Sequence, residues 1–82
     1  NNALTQVQVA RGKTELRDGQ ITSLETAVRS TQLLMKHGNS TYLEVLTAQQ
    51  SLLSAQLTQI ADRFDEIQGI INLYQALGGG RE

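Results

Sequence analysis

Few side chains in this sequence are typed and spaced for chemistry. His37 is the sole histidine, cysteine is absent, and no second ligand stands at a metal-binding spacing from His37. A transition-metal site needs several such ligands converging, so His37 reads as a cation or hydrogen-bond donor at a helix end. No hydroxyl has a base beside it, and a lone histidine among serines and threonines is not a triad. Asp62, Asp65 and Glu66 form an acidic cluster, but Arg63 is interleaved, and the pattern reads as a solvated helix face. Gly78-Gly79-Gly80 lacks the Lys-Ser or Lys-Thr and the following helix of a phosphate loop, and reads as a helix stop leading into a linker. The sequence therefore predicts no enzyme, no cofactor and no metal site.

The elements that position these residues are helical. The 82-residue chain contains no proline, and from Thr41 to Leu77 only Gly69 interrupts good helix formers. Leu43, Leu46, Gln50, Leu53, Leu57, Ile60, Phe64, Ile67, Ile71 and Tyr74 alternate at spacings of three and four, the repeat of a coiled-coil seam. A second stripe runs beside it, with Val45, Ala48, Leu52 and Ala55 near one end and Ile70, Leu73 and Leu77 near the other. One partner helix does not cover both stripes, so this helix is expected among several neighbours, in a bundle or a closed ring. Residues 3–36 carry a poorer repeat: Ala3, Val7, Ala10, Thr14, Arg17, Ile21, Leu24, Val28, Thr31 and Met35. Gly12 and Gly19 each weaken that helix by about 1 kcal/mol relative to alanine.

Composition bounds the partners. Seven Lys and Arg oppose eight Asp and Glu, so no strong field exists to attract nucleic acid or anionic lipid. Only Tyr42, Phe64 and Tyr74 are aromatic, which disfavours a thick core and favours a thin helix seam. Ten Gln and eight Thr fit either generic solubility or a ring of helices that is wet inside and out, and composition alone does not choose between them. No initiator Met, apolar signal or run of 18 apolar residues is present. The start at Asn1-Asn2, in what already reads as helix, suggests an excised segment or processed product whose address belongs to a parent.

The break between the helices is chemically legible. Gly38 can take the left-handed conformation that ends a helix, with Lys36 and His37 facing the negative end of the first one. Thr41 and Glu44 form a capping box that starts the second. So short a loop between long helices implies an antiparallel hairpin. The fold class is all-α: helix 2–37, turn 38–40, helix 41–77 and a glycine-rich tail 78–82, with coiled-coil packing.

Two stretches carry more than a fold. Gly38-Asn-Ser-Thr-Tyr-Leu43-Glu-Val-Leu-Thr-Ala-Gln49 and, about 36 residues after its start, Leu73-Tyr-Gln-Ala-Leu-Gly-Gly-Gly80 resemble the C-terminal helical hairpin of TolC-like outer-membrane efflux channels. In that family a "G-x-x-x-x-L-x-V-L-x-A-Q" turn precedes a long helix closing with "L-Y-x-A-L-G-G-G". The resemblance is strongest from Lys36 to Gly80 and weaker over residues 1–35, where Asn2-Ala3-Leu4 also fits.

The resemblance implies that the hairpin belongs to a periplasmic α-barrel on the outer membrane of a Gram-negative cell. There a homotrimer, with two hairpins per chain, passively conducts drugs, metals or other small molecules supplied by an inner-membrane pump through a periplasmic adaptor protein. His37, Gly38, Asn39, Ser40, Thr41 and Tyr42 are the implied adaptor contacts. Glu44 matches an acidic ring at the narrow mouth, although its capping role alone explains its presence. The family's usual Asp after the Val-Leu pair is replaced by Thr47, and Ser40 offers no basic group for an ion-pair latch. The isolated segment is expected to self-associate, as a dimeric four-helix bundle. The alternative reading is a free-standing helical bundle that acts as an interaction module.

Overall fold

Uninterrupted helix formers and a single glycine break produce two long helices of equal length. The computed structural model describes residues 2–78: α1 (Asn2–Lys36) and α2 (Tyr42–Ala76) run antiparallel in a rod of 66 × 15 × 14 Å. Both helices stop short of the expected bounds, because His37 and Gly38 terminate α1 while Thr41 and Leu77 cap α2 from outside. Gly79 to Glu82 lie outside the described residues. No helix among the described residues is long and apolar enough to cross a membrane.

The α1 seam follows the weaker repeat. Val7, Ala10, Thr14, Ile21 and Val28 are buried, Ala3, Arg17, Leu24 and Thr31 are half-buried, and Met35 is exposed beside the tip. Threonine hydroxyls fit this helix by donating to carbonyls one turn back, as Thr14 Oγ1 does to Ala10 O at 3.0 Å.

On α2 the expected seam is overturned. Leu53, Leu57, Ile60, Phe64 and Ile67 are 55–66% exposed, with Leu43, Gln50, Ile71 and Tyr74 also outward. Facing α1 instead is the neighbouring register: Val45, Ala55, Asp62 and Gly69 buried, and Ala48, Leu52, Gln59, Glu66 and Leu73 half-buried. In heptad geometry the two stripes lie roughly 150° apart around the helix. The reason is side-chain size and charge. Alanine, glycine and valine let two slender helices approach closely, and the polar middle of α1 at Thr14 and Arg17 needs a polar middle opposite.

That polar middle also corrects the reading of the acidic cluster as a solvated face. The Asp62 side chain is only 5% exposed and accepts from Arg17 Nε at 2.9 Å. Lys13 Nζ lies 4.0 Å from Asp62 and 3.2 Å from Asp65. Glu66 Oε1 lies 3.4 Å from Thr14 Oγ1, competing with Ala10 O for its one proton, and Gln59 Nε2 donates to Asp18 Oδ1 at 2.8 Å. Attraction within a buried pair is largely offset by lost hydration, whereas removing one partner costs about 3–5 kcal/mol. Arg17, at 28% side-chain exposure, keeps part of its hydration and places the cost toward the lower end.

Gly69 permits close approach near the open end of the hairpin. A Cβ built there meets Val7 Cγ2 at 3.6 Å and Val7 Cα at 3.7 Å, ordinary van der Waals contact. Gly69→Ala is therefore expected to stabilise the chain by about 0.5–1 kcal/mol through helix propensity alone. Urea unfolding followed by circular dichroism checks this, and a lower midpoint would show that the seam is tighter than these contacts indicate.

Candidate functional site

The chain's special backbone chemistry is concentrated at the tip. Gly38 has φ +79° and is the C′ residue of α1. Asn39 N–H donates to Leu34 O at 2.8 Å and Gly38 N–H to Met35 O at 3.0 Å, the paired bonds of a Schellman motif. A side chain at Gly38 would meet open space but a left-handed backbone, so the requirement for glycine there is conformational.

Two residues later the chain reverses into α2. Thr41, at φ −96° and ψ 160°, accepts the Glu44 N–H on its hydroxyl at 3.2 Å, and Glu44 Oε1 accepts the Thr41 N–H at 2.8 Å. Ser40 Oγ also donates to Glu44 Oε1 at 2.8 Å. The Thr41 N–H, then the Ser40 hydroxyl, hold the Glu44 carboxyl below its ordinary value of 4.5. Burial opposes this only weakly at so exposed a position. Glu44 is thus a fully formed carboxylate at neutral pH, and Ser40, with no cation to latch, serves as its second anchor.

All seven residues singled out at this end therefore sit together. Ser40, Thr41 and Glu44 are joined by hydrogen bonds, while His37, Asn39 and Tyr42 are exposed around them. Leu33, Leu34, Tyr42 and Leu43 add exposed apolar surface beside the polar turn, so the tip offers both kinds of contact. Among the described residues no group of three or more His, Cys, Asp or Glu could hold a metal ion.

The two broad faces of the hairpin differ. On one, Thr47, Ser51, Ser54 and Thr58 of α2 line an open groove of about 510 Å³ together with Gln20 and Arg17 of α1. Further along the same face Gln6 receives an amide hydrogen bond from Asn72 at 3.4 Å and Lys13 pairs with Asp65. On the other, Arg63 lies 3.6 Å from Asp18 and Arg11 lies 3.5 Å from Glu66, beside the outward apolar stripe of α2. One face is thus hydroxyl- and amide-rich, the other carries ion pairs, and the apolar stripe of α2 lies on its back, away from α1.

Sequence reasoning anticipated the turn and its capping box but missed the polar clasp at mid-seam. A signal was present: Ala48, Ala55, Asp62, Gly69 and Ala76 recur every seven residues, a series of small side chains with one carboxylate among them. The larger residues of the competing stripe outweighed it.

A capped hairpin of two slender helices with a second apolar stripe turned outward defines a building block for helical assemblies. Comparison with known proteins names the family. Residues 1–79 match the outer membrane efflux protein family model, and the chain belongs to that family. It is 46% identical over 43 residues to the solvent efflux pump outer membrane protein SrpC of Pseudomonas putida, covering 52% of this chain and 9% of that protein. The toluene efflux pump outer membrane protein TtgI, also of Pseudomonas putida, matches to the same extent. The cation efflux system protein CusC of Escherichia coli is 37% identical over 60 residues, 73% of this chain and 13% of that protein. The chain thus spans only about a tenth of the length of these relatives, and no solved structure matches it.

The cap makes an acid-dependence prediction with a defined sign. A carboxyl held below its ordinary value stabilises the fold above that value, and the contribution is lost as pH falls below 4.5 and through the lowered folded value. Glu44→Gln preserves a capping-box side chain and is expected to remove this part of the acid dependence. Amide hydrogen exchange at Thr41 and Glu44 across about pH 3–6, the range that brackets the titration, reads it directly. Identical pH profiles for the two proteins would rule the contribution out.

Proposed function

We propose that this chain is a section of the periplasmic tunnel of a trimeric outer-membrane efflux channel. The channel conducts drugs, metals or other small molecules passively, while an inner-membrane pump supplies the energy and a periplasmic adaptor docks at the hairpin tip. The observation that carries this reading is that α2 has two apolar sides, of which α1 covers one. It meets α1 through small residues and turns Leu53, Leu57, Ile60, Phe64 and Ile67 roughly the opposite way. A helix covered on two sides is what a closed ring of helices requires.

The remaining surfaces fit the same role. The groove between the helices presents mainly hydroxyls and amides, which suit a wall in contact with water that does not retain its cargo. The relatives' names mention solvent, toluene and cations, which span the small-molecule and metal cargo proposed here. At the tip, Gly38 gives the tight reversal, Asn39, Ser40 and Thr41 allow close approach of a partner's helix ends, and His37 and Tyr42 flank them. Tyr42 is 68% exposed and supplies an aromatic anchor. Three copies of the ionised Glu44 would form an acidic ring at the mouth, weaker in charge than the family's usual arrangement because Thr47 replaces Asp.

Two outcomes test this. In the outer-membrane protein carrying this segment, Gly38→Val forces a β-branched residue into a left-handed conformation at a cost of about 1–2 kcal/mol. It is expected to abolish efflux while leaving the protein assembled in the outer membrane, and undiminished efflux would count against adaptor docking at the tip. The isolated 82-residue chain is expected to dimerise as a four-helix bundle, since each large side chain of the outward stripe gains about 1.5–3 kcal/mol on full burial. Light scattering should show the dimer, and Phe64→Glu should return it to monomer. A chain that stays monomeric at high concentration would contradict the assembly role of the stripe.

A further inference from the structure

α2 carries two repeats that α1 could meet, and the hairpin uses the less apolar one. Burial of hydrophobic area alone favours Leu53, Leu57, Ile60, Phe64 and Ile67 against α1. Those residues face outward, and Ala55, Asp62 and Gly69 face inward.

Thr41 and Glu44 orient the first turn of α2. A straight α-helix drifts about 20° per heptad from a 3.5-residue repeat, so over the three heptads to Asp62 the shift is roughly 60°, too small to exchange the two stripes. Contacts at mid-helix act on top of the phase that the tip gives.

The ion pairs differ in their capacity to do so. Lys13–Asp65, Arg11–Glu66 and Arg63–Asp18 each join groups with at least one side chain more than half exposed. Such pairs are hydrated and re-form with other partners when a helix turns. Asp62 is different: 5% exposed, it has Arg17 Nε at 2.9 Å and Lys13 Nζ at 4.0 Å. Turning α2 by half a revolution would carry the carboxylate away from both cations and set Phe64 and Ile60 against Thr14 and Arg17.

We infer that the Arg17–Asp62 pair is a phase lock. It selects which of the two repeats of α2 faces α1, and thereby keeps the more apolar stripe on the outside, where other helices can reach it. The lock contributes specificity rather than net stability, as a buried polar layer does when it specifies register in a coiled coil. It acts within one hairpin and does not depend on the channel reading.

Disulfide trapping in the otherwise cysteine-free chain tests it. Val7→Cys with Gly69→Cys reports the observed phase, because a Cβ at Gly69 lies 3.7 Å from Val7 Cα. Val7→Cys with Ile71→Cys reports the turned phase, since Ile71 points away from α1. With Arg17 and Asp62 present, the first pair is expected to close nearly completely and the second hardly at all. In an Arg17→Met/Asp62→Leu background, whose apolar replacements preserve helicity, the first yield should fall at least threefold and the second rise to match. A purely structural pair would lower the unfolding midpoint without exchanging the cross-links, and an unchanged preference for the first pair would overturn the lock. Should the double variant lose helicity, Asp62→Asn carries the same test, because it keeps the side-chain shape and removes only the charge.

Discussion

A single buried carboxylate organises this hairpin. Asp62 is the one charged residue buried in the seam among the described residues, and a charge removed from water must keep its partners. That requirement brings Arg17 and Lys13 to it, and with them the rest of mid-α1. Gln59 and Glu66, one turn on either side, then meet Asp18 and Thr14. Apolar contacts at Val7, Ile21, Val28 and Val45 supply attraction but little choice, since one aliphatic residue substitutes for another at small cost. The polar layer supplies the choice.

The two ends of the rod solve a different problem, that of helix termini with unsatisfied backbone groups. At the tip the Schellman bonds of Gly38 and Asn39 close α1, and the reciprocal bonds of Thr41 and Glu44 open α2. At the other end Leu77 N–H donates to Leu73 O at 3.0 Å and Gly78, at φ +100°, donates to Gln75 O at 3.1 Å. Both stops thus use a glycine in the left-handed region. These devices are local, which is why the tip is hydrogen-bonded at both helix ends although nearly all of it is exposed.

In the proposed channel, function resides in assembly, and the division of labour across α2 fits that role. Small residues and one ion pair face inward, large aliphatic and aromatic residues face outward, and hydroxyls and amides occupy the remaining face. An isolated globular domain would put its largest apolar side chains inside. Their outward placement here leaves the largest apolar surface of α2 uncovered by α1, as the proposed assembly requires.

Whatever depends on near neighbours was legible in the chain alone. Helix content followed from residues without proline, the turn from Gly38, the capping box from Thr41 and Glu44, and the family from the wording of residues 38–49 and 73–80, because each acts within a turn or two of backbone. The α1 seam was also legible, since α1 has only one usable repeat. Which stripe of α2 faces α1, and that Asp62 is buried rather than solvated, emerged only when the two helices packed. A heptad pattern states that a face is apolar but not which neighbour covers it, and hydrophobic size misleads when the largest side chains are reserved for other helices. Phase became fixed only when Arg17 and Asp62, 45 residues apart in sequence, came within hydrogen-bonding distance.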